Sequence, residues 1–238
     1  MISKNELKYI QSFAHKKQWE KESVFIVEGP KMVAEAIAAH WPIQKLYALN
    51  SWLEQNNTSG IEIEEVDEIM LERLSHLQTP NQVLALVQKM PSSIHHYENQ
   101  LTIVLDGLQD PGNVGTIIRT ADWFGIKQII ATEDTVNGYH PKLIQSTMGS
   151  CFRIQMQNMD IDSILSTTKL PIYGALLEGV SVYDTNLQKK GFLIIGNESK
   201  GIRAPSKNFI THPISIPKLG AAESLNAAVA AGILMSRF

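Results

Sequence analysis

Short helical and strand patterns of apolar and polar residues alternate along the first ninety residues. Leu7, Ile10, Phe13 and Ala14 recur at helical spacing, which predicts an amphipathic helix near the beginning of the chain. Further predicted helices cover residues 30–41 and 66–77, and predicted strands cover residues 23–29, 43–49, 61–66 and 82–90. Proline, serine and other polar residues interrupt the pattern at residues 90–100, which predicts a linker there.

From Leu101 onward, apolar strands alternate regularly with helices. The predicted strands cover residues 101–107, 127–132, 151–156, 171–179, 192–198 and 212–217, and the predicted helices cover residues 113–124, 141–149, 160–167 and 223–238. This order predicts a mostly parallel sheet with helices on both faces. We therefore predict an α/β protein with a smaller α/β domain at residues 1–92, a linker at 93–100 and a second domain at 101–238.

Composition and charge restrict the functions that the chain can have. The chain has 238 residues, and its 21 Lys and Arg are nearly balanced by 24 Asp and Glu, so any nucleic-acid site depends on local patches. The single cysteine, Cys151, excludes multi-cysteine zinc and iron–sulfur sites, and we expect no metal. A lone cysteine, no apolar leader and no apolar run of about 20 residues predict a cytoplasmic protein without a membrane partner.

Polar residues and glycines mark the loop and helix that follow the strand at 101–107. Asn113 is a good helix N-cap, and a helix N-terminus favours an anion. Gly115, Arg119 and Trp123 follow at spacings of four, on a face apart from the apolar positions Val114, Ile117, Ile118, Ala121 and Phe124. A functional site and a plain amphipathic helix with a solvated arginine both fit this pattern.

Polar residues and glycines also mark the ends of the strands at 192–198 and 212–217, with Ser224 and Asn226 at the mouth of the second loop. Gly196, Asn197 and Glu198 form the end of the strand at 192–198 and Gly201 follows it, where a polar turn is the simpler interpretation. Ligands of open parallel sheets bind beyond the carboxyl ends of the strands, so these loops are candidates for a site. The last predicted helix is apolar on every side, which predicts burial in the core or against a second subunit.

Several common fingerprints do not fit. The stretch "GNESKGIR" has the glycine spacing of a phosphate-binding loop, but Ile202 and Arg203 stand where Lys and Ser or Thr are required. The stretch "GLQDPGNVG" is not a dinucleotide-binding motif, and the zinc-protease and serine-hydrolase motifs are absent from the sequence.

In combination, the three loops resemble the SpoU (TrmH) family of RNA ribose 2′-O-methyltransferases. The matching motifs are "DPGNVGTIIRTA", "GNESKGI" and "IPKLGAAESLNAAVA", and the resemblance runs from Leu101 to the C-terminus. The stretches "VFIVEGPKMVAEAI" and, more loosely, "TPNQVLALV" resemble the substrate-binding domain that often precedes the catalytic one, although relatives usually carry a glycine near Gln82. The resemblance implies an α/β fold with a deep trefoil knot that binds S-adenosylmethionine, and a homodimer formed through the C-terminal domain.

The resemblance also implies roles for individual residues. The implied catalytic residues are Asn113, Arg119, Glu198, Ser224 and Asn226. The implied cofactor-binding residues are Leu176, Leu177, Gly196, Asn197, Glu198, Gly201, Ile216 and Leu225. Family proposals make Arg119 the base, but a guanidinium stays protonated, so we expect it to clamp a phosphate while Glu198 or a phosphate oxygen takes the proton. Lys218 and Ala228 depart from the usual apolar residue and serine.

RNA binding is expected from local positive charge. The candidate residues are Lys4, Lys8, Lys16, Lys17, Lys31 and Arg119, with Lys142, Lys200 and Arg203 expected near the catalytic loops. Tyr9, Phe13 and Trp19 are interleaved with the first lysines and either contact RNA or form the core beneath a solvated face. The extra N-terminal domain favours ribosomal over transfer RNA by analogy. A catalytically silent RNA-binding or assembly module is the alternative function, and another nucleotide-binding α/β protein is a poorer third.

Overall fold

The computed structural model of the chain describes residues 2–91 and 99–238. In the first of these ranges the helices are α1 (Lys4–Ser12), α2 (Lys16–Lys21), α3 (Pro30–Ala38), α4 (Asn50–Leu53) and α5 (Glu68–Leu74). The strands are β1 (Val24–Glu28), β2 (Ile43–Ala48), β3 (Ile63–Glu65) and β4 (Val83–Gln88).

Strands and helices alternate along most of the second range, as predicted, although the helix at Ala204–Lys207 was not predicted. The strands are β5 (Leu101–Asp106), β6 (Gln128–Ala131), β7 (Gln155–Asn158), β8 (Ile172–Ser181), β9 (Gly191–Gly196) and β10 (His212–Ser215). The helices are α6 (Pro111–Trp123), α7 (Pro141–Ser146), α8 (Asp162–Leu165), α9 (Ala204–Lys207) and α10 (Ala227–Met235).

Contacts between residues divide the chain into two compact units. The first is Met1–Pro91 with Tyr139–Phe152, and the second is Ser92–Gly138 with Arg153–Phe238. The predicted domains, 1–92 and 101–238, are continuous in sequence, whereas the structure assigns Tyr139–Phe152 to the first unit. Helix α7 of that segment packs against β1, and Phe152 joins the apolar cluster around Phe25. Residues 93–98 of the predicted linker lie outside the described residues.

The sheet of the first unit has apolar residues packed on both faces. Its described strands lie in the order β1-β4-β2-β3, with β4 antiparallel to β1 and β2, and β3 parallel to β2. Phe25 packs on one face with residues of α3, and Ile26 packs on the other with Ile10, Phe13 and Trp19. Phe13 and Trp19 therefore belong to the core, as the second interpretation of these aromatic residues predicted.

The sheet of the second unit confirms the predicted parallel architecture. Its described strands lie in the order β10-β8-β9-β5-β6-β7, and every neighbouring pair is parallel. Val104 and Ile194 pack with Leu165 of α8 on one face. Side chains alternate along a strand, so the buried Ile103 and Ile195 point to the opposite face, where α10 contacts β9 and α6.

Several predicted boundaries are wrong. Residues 151–154 are not strand, because Ser150–Phe152 forms a 3-10 turn that directs Phe152 into the first unit's core, and β7 begins only at Gln155. The helix predicted at 160–167 is shorter in the structure, where α8 covers only Asp162–Leu165. Phe124 does not lie on the buried side of α6, because it follows the last helical residue and is 43% exposed.

The N-terminal motif has a strained backbone at the position where it departs from the family. Gln82, just before β4, has a φ of 57°, in the left-handed region that favours glycine. This is the position near which the resemblance led us to expect a glycine.

Candidate active site

A cleft of about 1190 Å³ lies at the carboxyl edge of the second unit's sheet. Neighbouring parallel strands end on the same side, so residues 175–178 within β8 and the segments that follow β9 and β10 converge there. The lining consists of residues 175–178, 195–202, 214, 216–220 and 222–225, together with Lys207, Ala227, Ala230 and Leu234. All eight residues that the resemblance implied for cofactor binding are part of this lining, although their role stays a prediction.

The loop after β9 is closed tightly by its own backbone. The Asn197 N–H donates to the Gly201 carbonyl at 3.1 Å, and the Gly201 N–H donates back to the Asn197 carbonyl at 2.8 Å. Gly201 has a φ of 65°, which glycine adopts without strain. A Cβ on Gly196 would overlap the backbone of Gly201 and Ile202, so only glycine fits at the end of β9.

Helix α6 begins earlier than predicted, and Asn113 is not its N-cap. The cap is Asp110, whose Oδ1 accepts the Asn113 N–H at 2.7 Å, and Pro111 occupies the first helical position. A strand end followed by Asp-Pro was the signal for this cap, since proline is favoured there. The side chain of Asn113 is therefore available for other contacts, and its Nδ2 donates to Glu198 Oε1.

Asn226 completes a cluster with these two residues. Its Nδ2 donates to Asn113 Oδ1 at 3.0 Å, while its Oδ1 accepts from the backbone N–H groups of Ala228 at 3.0 Å and Val229 at 3.2 Å. Asn226 is thus the N-cap of α10, which begins at Ala227 and not at residue 223 as predicted. We call Asn113, Glu198 and Asn226 the amide–carboxylate cluster; it fixes the orientation of the Asn113 amide and directs its N–H at the carboxylate.

The structure does not bring every predicted catalytic residue into this cluster. Arg119 lies six residues after Asn113 on α6, which turns it about 120° away around the helix. Its side chain is exposed, and no hydrogen bond or ion pair of that side chain occurs among the described residues. Ser224 lines the cleft but is exposed.

Arg203, which we expected near the catalytic loops, has its guanidinium paired with two carboxylates. Its Nε donates to Asp106 Oδ1 at 2.6 Å, and its Nη1 lies 2.9 Å from Asp134 Oδ2. Hydrogen bonding to Asp106 raises the pKa of Arg203, and the Thr132 hydroxyl followed by Arg203 lowers the pKa of Asp134. The sequence showed these two carboxylates only as acidic residues near strand ends, which does not distinguish a partner of arginine from a solvated group.

The predicted RNA-binding lysines are exposed. Lys4 and Lys8 lie on α1, Lys16 and Lys17 on α2, and Lys31 on α3, all in the first unit. Lys142 also belongs to that unit by its contacts, whereas Lys200 lines the cleft. Their role in RNA binding stays a prediction.

Neither a metal-binding group of side chains nor a membrane-spanning helix is found among the described residues. No described group of three or more His, Cys, Asp or Glu side chains is arranged to hold a metal ion. None of the described helices is both long enough and apolar enough to cross a membrane.

The parallel sheet, with a cleft at its carboxyl edge, defines an α/β protein with a candidate ligand site at its strand ends. The family model for the SpoU rRNA methylase family matches residues 100–236, and the model for the MRM3-like substrate binding domain matches residues 4–85. The first match covers more than half of the chain. The chain belongs to the SpoU rRNA methylase family.

Known proteins resemble the chain over nearly its whole length. It is 30% identical to the Bacillus subtilis 23S rRNA (guanosine(2553)-2′-O)-methyltransferase RlmP, with 92% of this chain and 90% of that protein covered. A structure assigned to the TrmH family of RNA methyltransferases, from Porphyromonas gingivalis, is 34% identical with a TM-score of 0.91, covering 100% and 98% of the two chains. An AdoMet-bound rRNA methyltransferase from Sinorhizobium meliloti is 28% identical with a TM-score of 0.88, covering 100% and 95%.

Proposed function

We propose that the protein is an S-adenosylmethionine-dependent methyltransferase that methylates the 2′-hydroxyl of a ribose in ribosomal RNA. The activity of the Bacillus subtilis relative supports both the RNA class and the 2′-hydroxyl. The observation that carries the proposal is that Glu198, which lines the cleft, is hydrogen-bonded to Asn113, and that Asn226 bonds the same amide.

The residues of the cleft fit S-adenosylmethionine. The volume of the cleft, about 1190 Å³, exceeds the roughly 300–1,000 Å³ typical of small-molecule pockets, so a nucleoside-sized ligand would leave room beside it. Leucine and isoleucine side chains supply apolar walls, and Gly196 lets backbone approach closely. Three glutamates and three lysines line the cleft, so it offers partners to a ligand that carries both positive and negative groups; they are Glu178, Glu198, Glu223, Lys200, Lys207 and Lys218. When bound, S-adenosylmethionine supplies an electrophilic methyl group on a sulfonium centre.

The cluster is suited to orient a hydroxyl and take its proton. The Asn113 amide donates to one oxygen of Glu198 and so holds the carboxylate in one orientation. A carboxylate within hydrogen-bond reach of an attacking hydroxyl can act as a general base. Alignment of two reactants supplies about 7–11 kcal/mol of the barrier in well-oriented reactions, so a rigid cluster is of direct benefit.

Arg119 binds the RNA backbone in this proposal. Its exposed guanidinium is permanently charged and presents the planar fork that recognises a phosphate through two hydrogen bonds. The exposed lysines of α1, α2 and α3 supply further phosphate contacts from the first unit, whose match to a substrate-binding domain supports this role.

We also propose that the protein forms a homodimer through the second unit. The trefoil knot that the resemblance implies is likewise a proposal for this unit. Apolar side chains on and next to α6 and α10 support the dimer. Trp123 is 85% exposed, Val229 is 51% exposed and Leu225 is 46% exposed, and a second copy would remove them from water.

The experiment is methyl transfer from labelled S-adenosylmethionine to ribosomal RNA transcribed without modifications, with Glu198→Gln compared to the native protein. Alkaline hydrolysis then distinguishes the products, because a 2′-O-methyl group prevents cleavage of the adjacent phosphodiester and leaves a labelled dinucleotide. We expect Glu198→Gln to slow transfer about 10²–10⁴-fold, as for loss of a general base. Glu133→Gln, the same change at an exposed position after β6, is the matched control.

Three outcomes separate the alternatives. Labelled dinucleotides from the native protein and the control, but not from Glu198→Gln, support the proposal. Label released as mononucleotides after alkali would place the methyl group elsewhere on the RNA. RNA binding without cofactor binding or transfer would support the catalytically silent module instead.

A further inference from the structure

Asp106 is a buried carboxylate at the carboxyl end of β5, the strand that precedes helix α6. The side chain is 0% exposed. Its two oxygens face the same residue, Arg203: Oδ2 accepts the Arg203 backbone N–H at 2.8 Å, and Oδ1 accepts Nε at 2.6 Å as well as Nη2. A buried carboxylate requires such a partner, because an unpaired buried charge is strongly unfavourable.

The other end of the Arg203 guanidinium reaches a third strand-end loop. Nη1 and Nη2 donate to the two carboxylate oxygens of Asp134, after β6, at 2.9 Å and 3.1 Å. Gly107 lies beside the guanidinium, and its N–H donates to the hydroxyls of Thr132 and Thr135 at 3.0 Å and 3.1 Å. One side chain thus joins the loops that follow β5, β6 and β9.

The loop with Glu198 is therefore held at both of its ends. At one end, Asn197 Nδ2 donates to the Gly107 carbonyl at 2.9 Å. At the other end, Arg203 is fixed to Asp106, whose register partner across the sheet is Gly196. Glu198 lies between these attachments, and its partner Asn113 is on the helix that follows Asp106 and Gly107 along the chain.

We propose that Arg203 is a positioning residue that, through Asp106 and Asp134, sets the loop after β9 and thereby the distance and angle between Glu198 and Asn113. The consequence for methyl transfer rests on the proposed function; the consequence for the loop does not. Lysine cannot replace Arg203 in this role, because a single ammonium has no fork that spans two carboxylates.

The test compares Arg203→Lys and Asp134→Asn with the native protein. Both variants keep a cation or the Asp106 pair in place, so the buried carboxylate is not left alone. Arg153→Lys is the matched control, because Arg153 forms an ion pair with Asp122 at 2.8 Å elsewhere in the second unit. The measurements are amide hydrogen exchange of residues 197–202, the Kd for S-adenosylmethionine by calorimetry, kcat and KM for RNA, and the melting temperature.

We expect Arg203→Lys to speed exchange of the loop amides and to lower kcat about 10–100-fold, the scale of a misplacement of about 1 Å at a reacting centre. KM for RNA should change little, and Asp134→Asn should show the same effects more weakly. A uniform loss of stability would instead lower the melting temperature without a selective change in this loop.

Unchanged exchange in residues 197–202 together with an unchanged kcat would overturn the proposal. So would a loss of kcat in Arg203→Lys that Arg153→Lys reproduces. If the native protein neither binds the cofactor nor transfers methyl groups, the proposed function fails, while hydrogen exchange still decides whether Arg203 positions the loop.

Discussion

Asn226 combines two roles that one pair of substitutions can separate. Its Oδ1 caps α10 by accepting two backbone N–H groups, and its Nδ2 donates to Asn113 Oδ1 at 3.0 Å. Asn226→Ala removes both roles. Asn226→Asp keeps the cap, since aspartate is an equally good N-cap, but it replaces the donor with a carboxylate that faces the Asn113 carbonyl.

The structure sets the expected magnitudes. Loss of an N-cap costs about 1 kcal/mol of the free energy of unfolding. The hydrogen bond to Asn113 is solvent-exposed, so its loss adds only about 0.5 kcal/mol. Asn226→Ala should therefore lower the melting temperature by about 3–6 °C for a chain of this size. Asn226→Asp should stay within about 2 °C of the native protein, because a carboxylate at a helix N-terminus is favourable.

Activity should respond differently from stability. In Asn226→Asp, the Asn113 amide can donate its N–H groups either to Glu198 or to the new carboxylate at position 226. The hydrogen bond to Glu198 then competes with a second orientation of the amide. Both variants should therefore lose methyl-transfer activity to a similar degree. The assay is thermal unfolding followed by calorimetry, beside the transfer reaction with labelled cofactor.

Either of two results would refute this reasoning. If Asn226→Asp unfolds as early as Asn226→Ala, the side chain does not act as a cap. If Asn226→Asp keeps full activity, the hydrogen bond to Asn113 does not matter for the reaction.

Three further substitutions test other parts of the structure. Burial, followed by the charge of Lys142, lowers the pKa of His140, and its Nδ1 accepts the Lys142 N–H at 3.1 Å. The contribution of His140 to stability should therefore be full above about pH 6.5 and should decline as the pH falls. His140→Asn should flatten that decline in acid unfolding curves. Gln82→Gly should raise the melting temperature by about 1–2 °C, because relief of the left-handed backbone outweighs the entropy of glycine. Gly196→Ala should abolish cofactor binding in calorimetry, because its Cβ would overlap the Gly201 backbone.

Each of these expectations has a contrary result. An acid unfolding curve that is the same in His140→Asn would assign the pH dependence to other groups. A lower melting temperature in Gln82→Gly would show that the glutamine side chain contributes more than the strain. Native cofactor affinity in Gly196→Ala would show that the loop after β9 adjusts freely.

Local sequence alone predicted the order of strands and helices in the second unit, except for α9, and the loops that line its cleft. The strands around Val104 and Ile194 are apolar and are separated by helical periods, and these patterns are set by neighbouring residues. The glycines of "GNESKGI" and the motif resemblance likewise predicted that Gly196 and Glu198 belong to a strand-end site, and both line the cleft.

Tertiary structure decided which of these residues meet. Asn113 is hydrogen-bonded to Glu198, 85 positions away in the sequence, and to Asn226, 113 positions away. Arg119 points away from this cluster, and Arg203 forms ion pairs with two carboxylates. Residues 139–152 pack with the first unit although they follow the predicted boundary. A periodic pattern specifies which face of an element is apolar; the partner of a polar side chain depends on which strands become neighbours, and that is settled only when the whole chain packs.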